Sequence, residues 1–335
     1  MPGDCSPWDE FVSSHAQGSP FHLQAWRKSI EATFDYKSIY MLATDGARIR
    51  AVLPLFLVKN VLVKKALISS PFAVYGGILA DSPEAAAVLY DAVRKCGQEL
   101  GVEYIELRNA YECQCVGTPN ISRYVTFTHR IDRSEDALLE SIPRKTRYMI
   151  RKSLKQDYTV RTTRALDTFE ALYSENLRRL GTPAFPRRHF EALLRNFGNM
   201  VDIREFHVGG RAIAAVLTFY FQDQILPYYG ASDPVYNALA PNNLMYFDLM
   251  RSSSALGFRT FDFGRSKTGS GSYEFKAHWG MQERQLPYEM ILIRRKTVPN
   301  FSPANPVYEW PIRIWQRMPL RLTRALGPML VRLVP

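Results

Sequence analysis

From Phe261 to Gly280 the chain reads Phe-Asp-Phe-Gly-Arg-Ser-Lys-Thr-Gly-Ser-Gly-Ser-Tyr-Glu-Phe-Lys-Ala-His-Trp-Gly. An apolar strand, Phe261-Asp262-Phe263, is expected to end at Gly264 and open into a basic loop with Arg265, Lys267, Gly269 and Gly271. Tyr273, Lys276 and Trp279 follow closely. A lysine set between Phe275 and Trp279 is a candidate for a fixed, partly desolvated cation that stabilises negative charge developing in a reaction. The same lysine also suits a plainer role, its stem covering aromatic surface and its head reaching water. Asp262, on an otherwise apolar strand, is either a site carboxylate or a hydrogen-bonded structural one.

Further candidates lie upstream. Tyr228 and Tyr229 precede Gly230, which suits a bulge; Tyr229 either donates a proton or packs. Asn242 and Asn243 open a helix, where free N–H groups favour anions and asparagine also serves as an ordinary cap. Arg178, Arg179, Arg187 and Arg188 bracket the loop-like residues 181–186 and form a candidate substrate rim. Residues 143–155 hold six cations and no acid. At 100° per residue, Arg144, Lys145, Arg147, Arg151, Lys152 and Lys155 fall within roughly a 160° arc, opposite Met149, Ile150 and Leu154. This predicts an amphipathic helix with a basic outer face, suited to phosphate or RNA or simply to water.

An internal repeat supplies the elements that must carry these residues. Gly46–Phe56 and Gly210–Tyr220 share five of eleven residues at an offset of 164. Each follows a short strand, 38–42 or 202–206, and turns through glycine, so each predicts a β-hairpin. Tyr75-Gly76 aligns with Tyr229-Gly230. Leu100-Gly101 and Leu256-Gly257 both read as helix stops before a strand, with glycine taking the left-handed position. The expectation is two α+β units, 1–130 and 131–295, each with a largely antiparallel sheet flanked by helices, then a basic tail, 296–335.

A length of 335 residues suits two domains, and 46% hydrophobic content suits full cores. The net charge of +11 predicts an anionic partner. Cys5, Cys96, Cys113 and Cys115 lack the companions a zinc site needs, so reduced thiols and no metal are expected. The start, Met-Pro-Gly-Asp-Cys-Ser-Pro-Trp-Asp-Glu-Phe, lacks the basic and apolar regions of a signal peptide, and no apolar run reaches bilayer length. A cytoplasmic protein is expected, either free or peripheral on the inner face of the membrane. The tail after Glu309 holds five arginines and no acid, with Trp310 and Trp315. It predicts either a membrane-surface contact through 310–335 or docking onto the body.

The Asp-Phe-Gly strand, its loop and Tyr-x-Phe-Lys-x-x-Trp-Gly resemble the signature near the end of the FemAB proteins. Pro143-Arg144-Lys145 through Arg151-Lys152 resembles the helix that opens their second domain, and Ala240–Leu244 falls where they start a helix. The resemblance covers most of residues 20–295. The tail, with Asn305-Pro306, Trp315 and Leu326-Gly327-Pro328, is similar to a subgroup associated with exosortase/PEP-CTERM systems. The resemblance implies two tandem GNAT (acyl-CoA N-acyltransferase-like) domains, with one active centre mainly in the second. It implies transfer of an aminoacyl group from aminoacyl-tRNA to an amine of an envelope or exopolysaccharide precursor. Lys276, Tyr229 and Asp262 would be the catalytic candidates. Arg265, Lys267, Tyr228, Asn242, Asn243, Tyr273, Trp279, Arg187 and Arg188 would bind substrate, and the donor would be a co-substrate rather than a tightly bound cofactor. Acetyl-CoA-dependent GNAT domains carry a glycine-rich pyrophosphate loop, and Asp233–Ala240 has no glycine. Acyl-CoA or acyl-carrier protein with an amino sugar or amine is the second reading, and a catalytically silent RNA- or membrane-binding protein the third. The acyl group, the acceptor and the oligomeric state stay open.

Overall fold

The computed structural model describes residues 6–112, 121–299, 309–333 and 335. Cys5, Cys113, Cys115 and Asn305-Pro306 lie outside them; Cys96 is a free thiol. Two compact units result. The first holds Met1–Ser122, Leu286–Trp310 and Pro328–Pro335, and the second Arg123–Gln285 and Pro311–Gly327.

In the first unit, α1 (Pro7–Ser14) and α2 (Gln24–Phe34) precede β1 (Lys37–Asp45), β2 (Arg48–Asn60), β3 (Lys64–Ser69) and β4 (Leu79–Ala80). Then come α3 (Pro83–Leu100) and β5 (Tyr104–Leu107), and β13 (Glu289–Leu292) completes the sheet. Strand order is β1-β2-β3-β5-β13, with β4 beside β2. The hairpin expected around Gly46 is β1–β2. Gly101 ends α3 in the left-handed conformation, φ 62°, which costs a residue without Cβ least.

The second unit begins with β6 (Tyr124–Arg130), α4 (Glu135–Ser141), α5 (Arg144–Leu154), β7 (Tyr158–Thr163), α6 (Asp167–Leu180) and α7 (Arg187–Phe197). It continues with β8 (Val201–Val208), β9 (Arg211–Phe221), β10 (Gln224–Ser232), α8 (Pro241–Ala255), β11 (Thr260–Lys267), α9 (Gly271–Ala277) and β12 (Gln282–Gln285). Strand order is β12-β6-β11-β10-β9-β8-β7. Residues Ile213–Leu217 and Phe219 of β9 are fully buried. A run buried on alternate residues of both faces is what a central strand covered by helices on either side requires. One of those helices, α8, buries Leu244, Met245, Phe247, Leu249 and Met250 completely, so apolar residues surround most of it.

The two sheets share one topology. Two antiparallel hairpin pairings, β1–β2–β3 and β8–β9–β10, are each followed by a helix and a parallel partner, β5 or β11. An antiparallel strand then flanks each parallel partner, β13 on β5 and β6 on β11; the second sheet extends further through β12 beside β6 and β7 beside β8. This is the mixed α+β arrangement of two tandem GNAT-like folds. Strand β6 lies at the 130/131 border drawn from sequence and pairs wholly within the second sheet. Strand β13, drawn into the second stretch, pairs with β5 of the first.

Three local expectations are corrected. Tyr75-Gly76 lies between β3 and β4 outside any strand, so it is no structural copy of Tyr229-Gly230 on β10. The strand through Phe263 does not end at Gly264. It bulges there and resumes pairing with Arg265 opposite Thr126, leaving a loop of only Thr268–Ser270 before α9. The bulge on β10 falls at Tyr228, which the β9 register skips between Pro227 and Tyr229, and not at Gly230.

Candidate functional site

Strands β10 and β11 run parallel but share only two register positions, Gln224 with Thr260 and Ile225 with Phe261. Beyond them the strands diverge, and each carries a bulge just past the fork. On β10 the bulge is Tyr228; on β11 the register jumps from Asp262 opposite Thr128 to Arg265 opposite Thr126. A bulge bends its strand and raises its twist, so two bulges flanking one seam open it. Helix α8 backs the fork. A Cβ on Gly230 would lie 3.3 Å from Met245 Cε and 3.4 Å from Tyr246 Oη, so glycine permits the close approach.

Lys276 sits in the last turn of α9, whose first turn is capped by Ser270 Oγ accepting from Tyr273 N. Its ammonium donates to the carbonyls of Phe263 at 2.7 Å, Gly264 at 3.0 Å and Arg265 at 3.2 Å. Phe263 and Gly264 are the two residues the β6 register skips, and Arg265 is the one at which pairing resumes. An ammonium has three N–H donors, and all three are used. Burial pushes the Lys276 pKa down to about 8; Asp262 opposes the shift and Arg265 adds to it. Asp262, buried, serves the same bulge: its Oδ1 accepts from Thr126 Oγ1 at 2.9 Å and from Gly264 N at 2.7 Å. Gly264 itself has φ 67°, where a side chain would strain the backbone. Lysine, aspartate and glycine therefore fix one irregularity together.

Tyr229 is buried on the opposite face of β10 from Gly230, and its hydroxyl is 3.0 Å from His189 Nε2. Tyr173, Phe185, Phe190 and Tyr228 surround it. Burial raises the Tyr229 pKa well above that of a free phenol, with Tyr228 and Tyr173 adding, and drives that of His189 down to about 3. Both groups are thus neutral at pH 7 and share one hydrogen bond.

The other candidates separate by place. Arg265 stacks 4.6 Å over the Tyr124 ring. Lys267 ends β11, its carbonyl accepting from Ser270 Oγ. Tyr273 Oη donates to Glu283 Oε2 at 3.0 Å. Trp279 is fully buried against Phe263, Phe275 and Tyr246 as a core wedge. Asn242 and Asn243 lie in the first turn of α8 but do not cap it: the cap position is Ala240 at φ 54°, with no side-chain hydrogen bond. The segment before it, Pro234–Leu239, is a 3-10 helix. Arg187 is held by Asp167, Glu170 and Glu191 at 2.7, 2.9 and 3.1 Å, while Arg188 is exposed.

The basic helix forms as α5. Thr146, Ile150 and Ser153 are buried, and Arg144, Lys145, Arg151, Lys152 and Lys155 are exposed with no carboxylate pairing to them among the described residues. Arg147 turns back to donate to Ile142 O. Thr146 Oγ1 donates to His278 O at 2.6 Å, which ties the first turn of α5 to the end of α9 beside Lys276. No group of residues able to hold a metal occurs among the described residues.

Sequence reasoning missed His189, Thr126 and Tyr246. Tyr246 meets Phe261, Phe263, Phe275 and Trp279, and burial raises its pKa to about 12. The only sequence signal was a tyrosine in the second turn of a helix starting Pro-Asn-Asn.

Residues 142–277, from the end of α4 to the end of α9, match the acetyltransferase (GNAT) domain family. The crystal structure of FemX is similar, with a TM-score of 0.72 and 16% identity, covering 88% of this chain and 97% of that one. L-PGS from Bacillus licheniformis follows with a TM-score of 0.58 and 12% identity over 94% and 98% of the two chains. A tandem GNAT protein from the clavulanic acid biosynthesis pathway gives 0.51 and 10%, over 87% and 95%. Among curated proteins none matches.

Proposed function

We propose that the chain is a GNAT-fold acyltransferase of the FemAB type that transfers an aminoacyl group from aminoacyl-tRNA to an amine of a cell-envelope or exopolysaccharide precursor. The match of residues 142–277 to the GNAT acetyltransferase domain family and the fold shared with FemX support this reading. The observation that carries this reading is the fork between β10 and β11, opened by paired bulges beside a basic helix. An acyl carbonyl entering the fork meets strand N–H groups no longer engaged by a parallel neighbour. Such groups, fixed in advance, stabilise the oxyanion formed when the amine attacks. The new bond is amine nitrogen to carbonyl carbon; the bond broken joins that carbon to the donor oxygen, which leaves with a proton as the tRNA ribose hydroxyl.

In this reading Lys276 and Asp262 are positioning residues that hold the β11 side of the fork, and His189 and Tyr229 hold the β10 side. Helix α5 receives phosphates. The similar C-terminal domain from Agrobacterium fabrum, described as that of a lysylphosphatidylglycerol synthetase, fits aminoacyl transfer to an envelope component. The lack of a glycine loop in Asp233–Ala240 weighs against CoA. One observation favours CoA as a second donor: the uncapped first turn of α8, whose N–H groups suit a pyrophosphate. No helix among the described residues is long and apolar enough to cross a membrane.

The test supplies purified protein with a pool of tRNAs charged with labelled amino acids, or with labelled acyl-CoA, together with extracted lipid- and nucleotide-linked envelope precursors. Label moving from tRNA to an amine in the precursor pool supports the proposal. Transfer from acyl-CoA alone would replace it with the second reading.

A further inference from the structure

The last two helices, α10 (Glu309–Arg317) and α11 (Leu320–Val331), have sharply different inner and outer faces. Inwardly, Trp315, Thr323 and Gly327 are buried. Arg178 Nη1 donates to Gln316 O at 2.5 Å, and Gln316 Nε2 donates to Arg179 O at 3.1 Å, fastening α10 to the last turn of α6. A Cβ on Gly181 would collide with Ile312, and one on Gly327 would lie 3.0 Å from Ala184 O. These helices are docked, which answers one half of the expectation for the tail.

The outer face is the unexplained half. Ile314 is 41% exposed, Leu322 51% and Leu326 41%, on helices whose other faces are already packed. Leu322 and Leu326 are one helical turn apart and form a stripe. Arg313, Arg317, Arg321 and Arg324 are exposed along the same two helices, and residues 310–335 contain no acid. An apolar stripe bordered only by cations is the pattern of a helix lying in a lipid interface, aliphatic groups in the headgroup–acyl boundary and guanidiniums on phosphates. We propose that this outer face binds the surface of an anionic bilayer. RNA would engage the arginines and leave the leucines idle. A protein groove would take the leucines without needing an acid-free cationic border. The bilayer accounts for both, and the association proposed is one with its surface, since no helix among the described residues is long and apolar enough to cross it. The inference stands apart from the acyl donor and acceptor.

Co-sedimentation of the full chain with phosphatidylglycerol/phosphatidylcholine vesicles, against phosphatidylcholine alone, reads the proposal. Binding should require phosphatidylglycerol. Leu322→Asp/Leu326→Asp and Arg321→Glu/Arg324→Glu should each lower partitioning at least ~10-fold, the scale of losing two such surface contacts. Thermal midpoints should stay unchanged, since all four side chains face solvent; Leu322→Ser/Leu326→Ser replaces the aspartate pair should that variant melt early. Equal binding by the variants, or equal binding to phosphatidylcholine, overturns the proposal. So does loss with the arginine pair alone when single-stranded RNA competes, which marks a polyanion site. Self-association in sedimentation velocity that Leu322→Asp abolishes also overturns it, since a second copy would then cover the stripe.

Discussion

Lys276 makes three hydrogen bonds to carbonyls of its own chain, so its role is set by what it holds. The sequence marked this lysine from its aromatic neighbours and its glycine-rich surroundings. It did not mark the acceptors, because they lie eleven to thirteen residues away on a strand whose bulge no local pattern announces. Removing the ammonium takes this donor from three carbonyls, a loss of about 2–4 kcal/mol for charge-assisted bonds in a largely buried place. Lys276→Met should therefore lower the urea midpoint as well as turnover, and the two losses should appear together. An intact midpoint with turnover down ~100-fold would instead assign Lys276 to the transition state directly.

At the level of elements, α5 is the clearest product of local pattern. Its 100° periodicity placed six cations opposite Met149, Ile150 and Leu154. The fold buries Ile150 with Thr146 and Ser153, leaves Met149 and Leu154 half-buried, and exposes five of the six cations while Arg147 turns back to Ile142 O. Arg151→Glu/Lys152→Glu should weaken binding to charged tRNA at least ~10-fold and lower the salt slope by about 1.4, from ~0.7 per phosphate contact. Stability should shift by less than about 0.5 kcal/mol, because both side chains are exposed and neither has an acidic partner. Filter binding across a salt series checks the first outcome and thermal melting the second. An unchanged salt slope would free α5 from any role in donor binding. The α8 start is the contrary case: two asparagines at a helix opening suggested a cap, yet Ala240 takes that position.

Taken as a whole, the molecule carries one buried neutral histidine in each unit. His22 touches Ser19 Oγ at 2.8 Å and Gly77 O at 3.1 Å in the first, and His189 pairs with Tyr229 in the second. Burial lowers their pKa values to about 4 and about 3, with the Gly77 carbonyl partly opposing the shift at His22. In the unfolded chain each titrates near 6.5, so between 6.5 and these lower values the unfolded state binds the extra proton. Stability is present above pH 6.5 and declines as pH falls through this window, on the order of 2 kcal/mol per histidine at pH 5. Melting curves from pH 7.5 to 4.5 should show this decline, and His22→Asn should flatten part of it. A variant with the same acid dependence as the parent would show that other groups drive it.

The sequence by itself determined the two hairpins through their glycine turns, the helix stop at Gly101, the basic face of α5 and the short apolar strands beside them. All of these depend on neighbours within a few positions, where backbone preference and periodicity act. The tertiary structure decided which strand pairs beyond β5 and β11, where β10 and β11 part, and which atoms face Lys276, Asp262 and Tyr229. Those outcomes depend on ladder register and on donors meeting acceptors from distant segments: β13 finds β5 across some 180 residues, and Thr126 finds Asp262 across 136. A one-residue bulge changes every such pairing while leaving the local pattern of side chains untouched.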